Sequence, residues 1–307
     1  MRALVLGAGG MLGHRLWREL HGRIESFAAV RRPYPAYAAL GWFDERRVID
    51  RVDAARDEDL ERAFRIARPD VVINAVGLVK QRRDAGDPVR AITVNALLPH
   101  QLAARARHAG ARLVHLSTDC VFSGQRGHYT EADVPDAVDL YGRSKLLGEV
   151  DQDACLTIRT SMVGREIGSN RGLLEWFLSH RGDTVRGFTR ARFSGLTTLE
   201  LARVVGGLVT EHNALEGVWH VAGEQISKFA LLSIVNEAFG LGTTIEPDDT
   251  LACDRTLDAS RFMNATGYRP PQWAAMVAEL AADPTPYDAW AHQWSSNVRD
   301  RSTASTL

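Results

Sequence analysis

The sequence predicts an α/β protein: a doubly wound parallel sheet with a smaller substrate region interleaved toward the C-terminal end. Three observations carry this expectation. Short runs rich in Val, Leu and Ile alternate with amphipathic segments through the first half, which suits strands covered by helices on both faces. A glycine-rich turn joins the first apolar run to the first helical segment. After about Arg165 the alternation loses its regularity, and helical segments are separated by loops and short strand-like runs.

Taken in order, "RALVLG" reads as a strand, "GHRLWRELHG" as a helix and "ESFAAVR" as a second strand. "DEDLERAFRIARP" is helical, "DVVINAVG" a strand, "DPVRAITVNALLPHQLAARARHAG" one long amphipathic helix and "ARLVHLS" the next strand. Right-handed crossovers place ligands at the carboxyl ends of such strands. Farther on, "RGLLEWFLSHRG", "TTLELARVVGGLVTEH", "SKFALLSIVNEAFG" and "RPPQWAAMVAELAAD" read as helices, with "GVWHVAG" a short strand. The expected division is a dinucleotide-binding unit at 1–165 to which 194–223 returns. A substrate-binding region spans 166–193 and 224–295, and 296–307 is a flexible polar tail.

The turn "LVLGAGGMLGHRL" makes the first half Rossmann-type. Gly7 permits the tight turn, Gly10 lets the backbone approach a pyrophosphate, and Gly13 lets helix and strand pack closely. Gly9, Met11 and Leu12 complete the loop, and the helix N-terminus offers N–H groups to phosphates. The second strand ends in "VRR", where an acidic residue would accept a ribose 2′-hydroxyl. Arg31 and Arg32 suit a 2′-phosphate instead and favour NADPH, with NADH still possible. A solvated basic loop is the bland alternative. Asp53 is a candidate for the adenine edge, although surface loops also hold aspartates.

Composition narrows the function classes. The 307 residues are 45% hydrophobic and 24% charged, with a formal net charge of -1. No global field favours nucleic acid or an anionic membrane, and no apolar run approaches the ~18 residues of a membrane span. The N-terminal stretch is too short and Gly-rich for a signal peptide. Cys120, Cys155 and Cys253 lack metal-type spacing, so no metal site is expected and the setting reads as reducing and cytoplasmic.

"STDCVFSG" follows the "ARLVHL" strand, and "YGRSKLLGE" lies just downstream. Tyr141 and Lys145, four apart, share one helical face. A phenol near pKa ~10 is a poor acid–base group at neutral pH. An adjacent ammonium favours the phenolate and a nearby hydroxyl orients the reacting oxygen. This combination resembles the extended short-chain dehydrogenase/reductase superfamily. Segment by segment, "VINAVG", "VNALLPHQLA", "LSTDCVFSG", "IRTSMVGR", "FSGLTTLELARVV", "GVWHVAGE" and "TLDASRF" are similar to the dTDP-4-dehydrorhamnose reductase family. The likeness runs from about Arg2 to about Leu280.

That resemblance implies an NAD(P)-dependent oxidoreductase that reduces the 4-keto group of a nucleotide-linked 6-deoxyhexose for cell-surface polysaccharide. It implies Thr118 as the active-site hydroxyl, Tyr141 as the acid and Lys145 as its partner and ribose ligand. Ala75, Val76 and Gly77 would line the dinucleotide, with Asn95 and Ser117 beside them, and Ser161, Met162 and Val163 near the nicotinamide. The expected partner is the nucleotide sugar, and a homodimer is left open.

Two departures from the family pattern matter. Cys120 stands where the family usually has an aromatic and the related dehydratases a glutamate. It cannot replace that carboxylate, which disfavours dehydration. It is either an acid–base group of an epimerase/reductase, with His180 as partner, or a small apolar filler. The second departure is the basic run Lys80, Gln81, Arg82 and Arg83, with Lys80 a candidate for the substrate pyrophosphate. Arg186 and Arg192 are further candidates, against the default of solvated arginines. A non-catalytic NADP-binding regulatory subunit is the reading from a different class.

Overall fold

Pairing of the apolar runs builds the fold. The computed structural model of the protein describes residues 1–79, 86–168, 172–291 and 294. Strands β1 (Arg2–Leu6), β2 (Glu25–Ala29), β3 (Val48–Ile49), β4 (Val71–Asn74), β5 (Arg112–Leu116) and β6 (Cys155–Arg159) form most of one sheet. The shorter β7 (Met162–Val163), β8 (Thr184–Phe188), β9 (Ala191–Phe193) and β10 (Leu196–Thr197) precede β11 (Gly217–His220), which rejoins it. β12 (Ile226–Ser227), β13 (Thr244–Asp248) and β14 (Cys253–Asp254) follow.

The sheet has the order β11-β6-β5-β4-β1-β2-β3, and every pairing in it is parallel. Chain progression reverses between β1 and β4, which opens a crevice outside their carboxyl ends, where such sheets bind ligands. This is the doubly wound architecture expected from the alternating pattern.

The helices are α1 (Gly13–His21), α2 (Pro35–Ala38), α3 (Asp57–Ala67), α4 (Pro88–Ala91), α5 (Leu98–His108) and α6 (Leu140–Leu147), then α7 (Leu173–Leu178), α8 (Thr198–Thr210), α9 (Lys228–Ala238), α10 (Ser260–Thr266) and α11 (Trp273–Ala282). Successive residues of a strand face opposite sides. Ala3 and Val5 therefore join a core with Leu16 and Trp17 of α1 and Leu201 and Val205 of α8. Leu4 and Leu6 join a second core with Leu60 of α3 and Leu102 of α5. No helix among the described residues is long and apolar enough to cross a membrane.

Two elements depart from the sequence reading. "CLTIR" was assigned no strand, yet all five residues of β6 are buried between β5 and β11. A short buried run has no distinctive period to announce it. The long helix after Asp87 is not uniform: α4 passes through a π-helical turn at Ile92–Leu97 into α5. Pro99 has no N–H to give the Asn95 carbonyl, and the N–H of Leu98 bonds to Thr93 instead.

Beyond β6 the pairings are local. β9 lies between β12 and β14, β8 pairs with β13, and β7 with β10. The segment from Asp283 to Trp290 returns to α1. Asp283 is ion-paired with Arg15, Tyr287 bonds to His14 at 2.7 Å, and Trp290 packs on Trp42 at 5.3 Å. The tail expected at 296–307 lies outside the described residues.

Candidate active site

The glycine turn meets the demands read from its sequence. Gly7 has φ +78°, and a Cβ there would lie 3.1 Å from the Ala75 backbone and the Val76 side chain. A Cβ on Gly13 would overlap the Gly7 carbonyl. The Gly10 N–H bonds to that same carbonyl at 2.9 Å. No side chain caps α1 at Leu12, so its first turn offers N–H groups to an anion, apart from that of His14, which bonds to the Gly10 carbonyl at 3.2 Å. Gly9 has a different neighbour, the Tyr37 hydroxyl, 2.7 Å from where its Cβ would be.

His14 braces this loop from behind. Its Nδ1 is 2.8 Å from the Gly10 carbonyl and its Nε2 2.7 Å from the Tyr287 hydroxyl. A carbonyl only accepts, so Nδ1 carries the proton and Nε2 accepts from the phenol. Burial lowers the His14 pKa to about 3, and the ring is neutral at physiological pH.

At the end of β2, Arg31 pairs with Asp53 at 3.4 Å, both largely exposed. Two residues assigned separate contacts with the dinucleotide thus bond to each other. The Arg32 guanidinium lies over the Trp294 ring, 4.3 Å from its centre.

Beyond β4, the Ala75 N–H bonds to the Leu6 carbonyl at 3.1 Å and the Val76 N–H to Asn74 Oδ1 at 3.1 Å. Gly77 precedes Leu78, whose backbone N–H and carbonyl both bond to the Asn95 side chain, at 2.8 and 3.1 Å. Asn95 also donates to Ser144 on α6 at 3.2 Å. Its amide therefore clamps loop to helix. The Ser117 hydroxyl is likewise engaged, donating to Glu149 at 2.7 Å beside the buried Arg159–Glu149 pair.

At the end of β5, Thr118 caps the short turn Asp119–Val121, its hydroxyl accepting from the Cys120 N–H at 3.1 Å. That hydroxyl donates to Asp119 at 3.1 Å and is hydrogen-bonded to the Tyr141 phenol. Two contacts bring α6 to this turn. Asp139 caps the helix through the Gly142 N–H at 2.9 Å, and a Cβ on Gly142 would overlap the Cys120 carbonyl.

Lys145 is buried and donates to the Leu116 carbonyl at 2.6 Å. Its Nζ is also 3.4 Å from His115 Nε2. Asn74, its Oδ1 taken by Val76, donates Nδ2 to His115 Nδ1 at 3.0 Å. The His115 proton therefore sits on Nε2 and faces Lys145. Burial lowers the Lys145 pKa to about 8, which leaves the ammonium the main form at neutral pH.

The expectation that Lys145 lowers the Tyr141 pKa is not met in this structure. Burial raises it first, and the electrostatic influence of Cys120 adds to the rise, with the Thr118 bond opposing. The phenol is held protonated, the form a proton donor needs.

Cys120 is half-buried, hydrogen-bonds to the Asp119 carboxylate and interacts electrostatically with Tyr141, Lys228 and Arg255. His180 bonds instead to the Trp176 carbonyl at 2.8 Å and packs on the Trp176 ring. Arg192 is exposed on β9, opposite Ser227 and Asp254. Arg186 is exposed on β8 and pairs with Asp248 at 3.7 Å. The Ser161 carbonyl accepts from Leu196 at 3.0 Å, while Met162 and Val163 form β7, with the Val163 side chain in the core. Lys80, Gln81, Arg82 and Arg83 lie outside the described residues. Sequence reasoning missed Asp119, His115, Lys228 and Arg255. Of these only Asp119, inside "STDC", adjoined a motif that had been read.

A family model described as the RmlD substrate binding domain matches residues 1–284. The chain belongs to this family. A dTDP-4-dehydrorhamnose reductase of Burkholderia thailandensis is 34% identical over 175 residues, covering 55% of this chain and 53% of that protein. A probable low-salt glycan biosynthesis reductase of Haloferax volcanii is 33% identical over 73% of this chain and 75% of its own. Among solved structures, a hypothetical dTDP-4-dehydrorhamnose reductase from Sulfolobus tokodaii superposes with a TM-score of 0.74. It is 29% identical and covers 89% of this chain and 98% of its own. This chain's parallel sheet, glycine turn and α6 with Tyr141 and Lys145 are the frame in which Cys120 and its neighbours stand.

Proposed function

We propose that this chain is an NADPH-dependent reductase of the 4-keto group of a nucleotide-linked 6-deoxyhexose. The observation that carries it is the protonated Tyr141 phenol bonded to the Thr118 hydroxyl at the carboxyl end of β5, beside the crevice between β1 and β4. The names of the family relatives support the substrate class.

The cradle at Gly7 and Gly13, which any Cβ would obstruct, fits a dinucleotide pyrophosphate, with Met11 and Leu12 offering backbone N–H groups. Arg31 and Arg32 would take the 2′-phosphate, and Ala75, Val76 and Gly77 the far side of the crevice. The bound nicotinamide supplies the hydride. Tyr141 gives its hydroxyl proton to the sugar carbonyl oxygen, which the Thr118 hydroxyl orients. Lys145, as an ammonium, stabilises the phenolate that results.

The test follows NADPH absorbance at 340 nm against enzymatically made 4-keto-6-deoxy sugar nucleotides. Turnover is expected with at least one of them, and Tyr141→Phe should bind NADPH normally while losing about 10²-fold or more in rate. Tight NADPH binding with no turnover on any sugar would sink the reductase reading.

A further inference from the structure

Lys228 opens α9 behind the cap supplied by Ser227, whose hydroxyl accepts from the Ala230 N–H at 3.1 Å. β12 pairs antiparallel with β9, Ile226 opposite Phe193 and Ser227 opposite Arg192. This register brings the Lys228 side chain back over β9, its Nζ 3.9 Å from the centre of the Phe193 ring. The Phe193 ring is 3.1 Å from where a Gly195 Cβ would stand, and that position is 2.6 Å from the Ser161 carbonyl. Lys228 thus reaches the mouth of the crevice where β5 and β6 end.

The Asp119 carboxylate, the Cys120 and Cys253 thiols and the Arg255 guanidinium are the charged and titratable groups that face its ammonium. None of them relieves it fully. Asp119 accepts from Thr118, and burial raises its pKa against the pull of Lys228 and Arg255. Arg255 spends donors on the Phe122 and Ser123 carbonyls at 2.9 and 3.3 Å. Among the described residues no acceptor hydrogen-bonds to Lys228 Nζ, and no carboxylate lies within ion-pair distance of it. An ammonium packed on an aromatic face without an acceptor gains strongly from an anion placed there.

We propose that Lys228 is a substrate ligand that takes an anionic group of the nucleotide sugar. That group is the nearer phosphate of the diphosphate, the one anion a 6-deoxy sugar nucleotide carries. The assignment rests on the nucleotide-sugar reading and deepens it. Asp119 and Cys120, with which Lys228 interacts electrostatically, belong to the turn capped by Thr118, so the gripped group sits on the side of the reacting carbonyl.

Binding, not turnover, is the test, because it separates the two readings. Calorimetric titration of the full chain in saturating NADPH with dTDP-glucose and dTDP-glucuronate is compared for wild type, Lys228→Met and Lys228→Arg. Methionine keeps the contact with Phe193 and removes the charge. If the diphosphate is the partner, Lys228→Met weakens both ligands by about tenfold or more. A loss confined to dTDP-glucuronate would overturn the diphosphate assignment. Lys228→Arg restores most of the loss. Unchanged affinities in Lys228→Met overturn the assignment alone, and no binding of either ligand to wild type overturns it together with the substrate class. Binding that depends on Lys228 without turnover on any keto sugar leaves it standing while the reductase reading falls.

Discussion

At the scale of single residues, the tyrosine and the lysine do different work from what their spacing alone suggests. Tyr141 is kept protonated by burial, and Lys145 is held by the Leu116 carbonyl with its pKa near 8. The ammonium is complete below that value and is lost as pH rises through it. The rate of carbonyl reduction should therefore fall above about pH 8, and a pH–rate profile checks this. Lys145→Arg, charged throughout, should be slower yet lose the alkaline decline; a decline unchanged in that variant would assign it to another group. Tyr141, Lys145 and Thr118 were legible because residue type and local spacing define their chemistry. His115, Asn74 and Lys228 were not, because they meet the site through strand register and a loop closure across distant parts of the chain.

At the scale of elements, α6 is positioned by absence of side chains. Gly142 meets the Cys120 carbonyl, and Gly148 meets the Asn95 carbonyl, the very acceptor that Pro99 leaves without its helical N–H. The π-helical turn and the helix carrying Tyr141 are thus fitted to one another. Gly142→Ala should destabilise the protein by about 1–3 kcal/mol through overpacking. It should also displace Tyr141 from Thr118, lowering the rate more than it weakens NADPH binding. Chemical denaturation and steady-state kinetics read the two effects, and a variant with wild-type rates would remove Gly142 from the positioning of Tyr141. The alternation of strands and helices was legible, whereas the π-helical turn was hidden inside an amphipathic pattern that looked continuous. β6 was hidden for the opposite reason, since five buried residues show neither alternation nor helical period.

At the scale of the whole molecule, the returning segment from Asp283 ties the far end of the chain to the glycine turn. His14 stands between them, neutral and fully buried, donating to Gly10 and accepting from Tyr287. Its pKa in the folded state lies well below the ordinary value, so the unfolded chain binds the extra proton. The stability it protects is present above about pH 6.5 and is lost as pH falls toward 3. Denaturation free energies for wild type should fall more steeply with acid than those of His14→Gln, by at most about 1.4 kcal/mol per pH unit. Parallel slopes would show that His14 is not the group titrating.

The position of β11 carries a consequence for how this chain can be divided. β6 and β11 are neighbours in the sheet, although the whole of residues 160–216 lies between them in sequence. A fragment ending at residue 165 would keep every part of the glycine turn and yet turn β6, all five of whose residues are buried, into an open edge. Such an edge is a template for pairing with another copy, and aggregation competes with folding there. The sheet is completed only by a strand made after the excursion through β7 to β10, so the nucleotide-binding half is not finished until part of the other region has already been made.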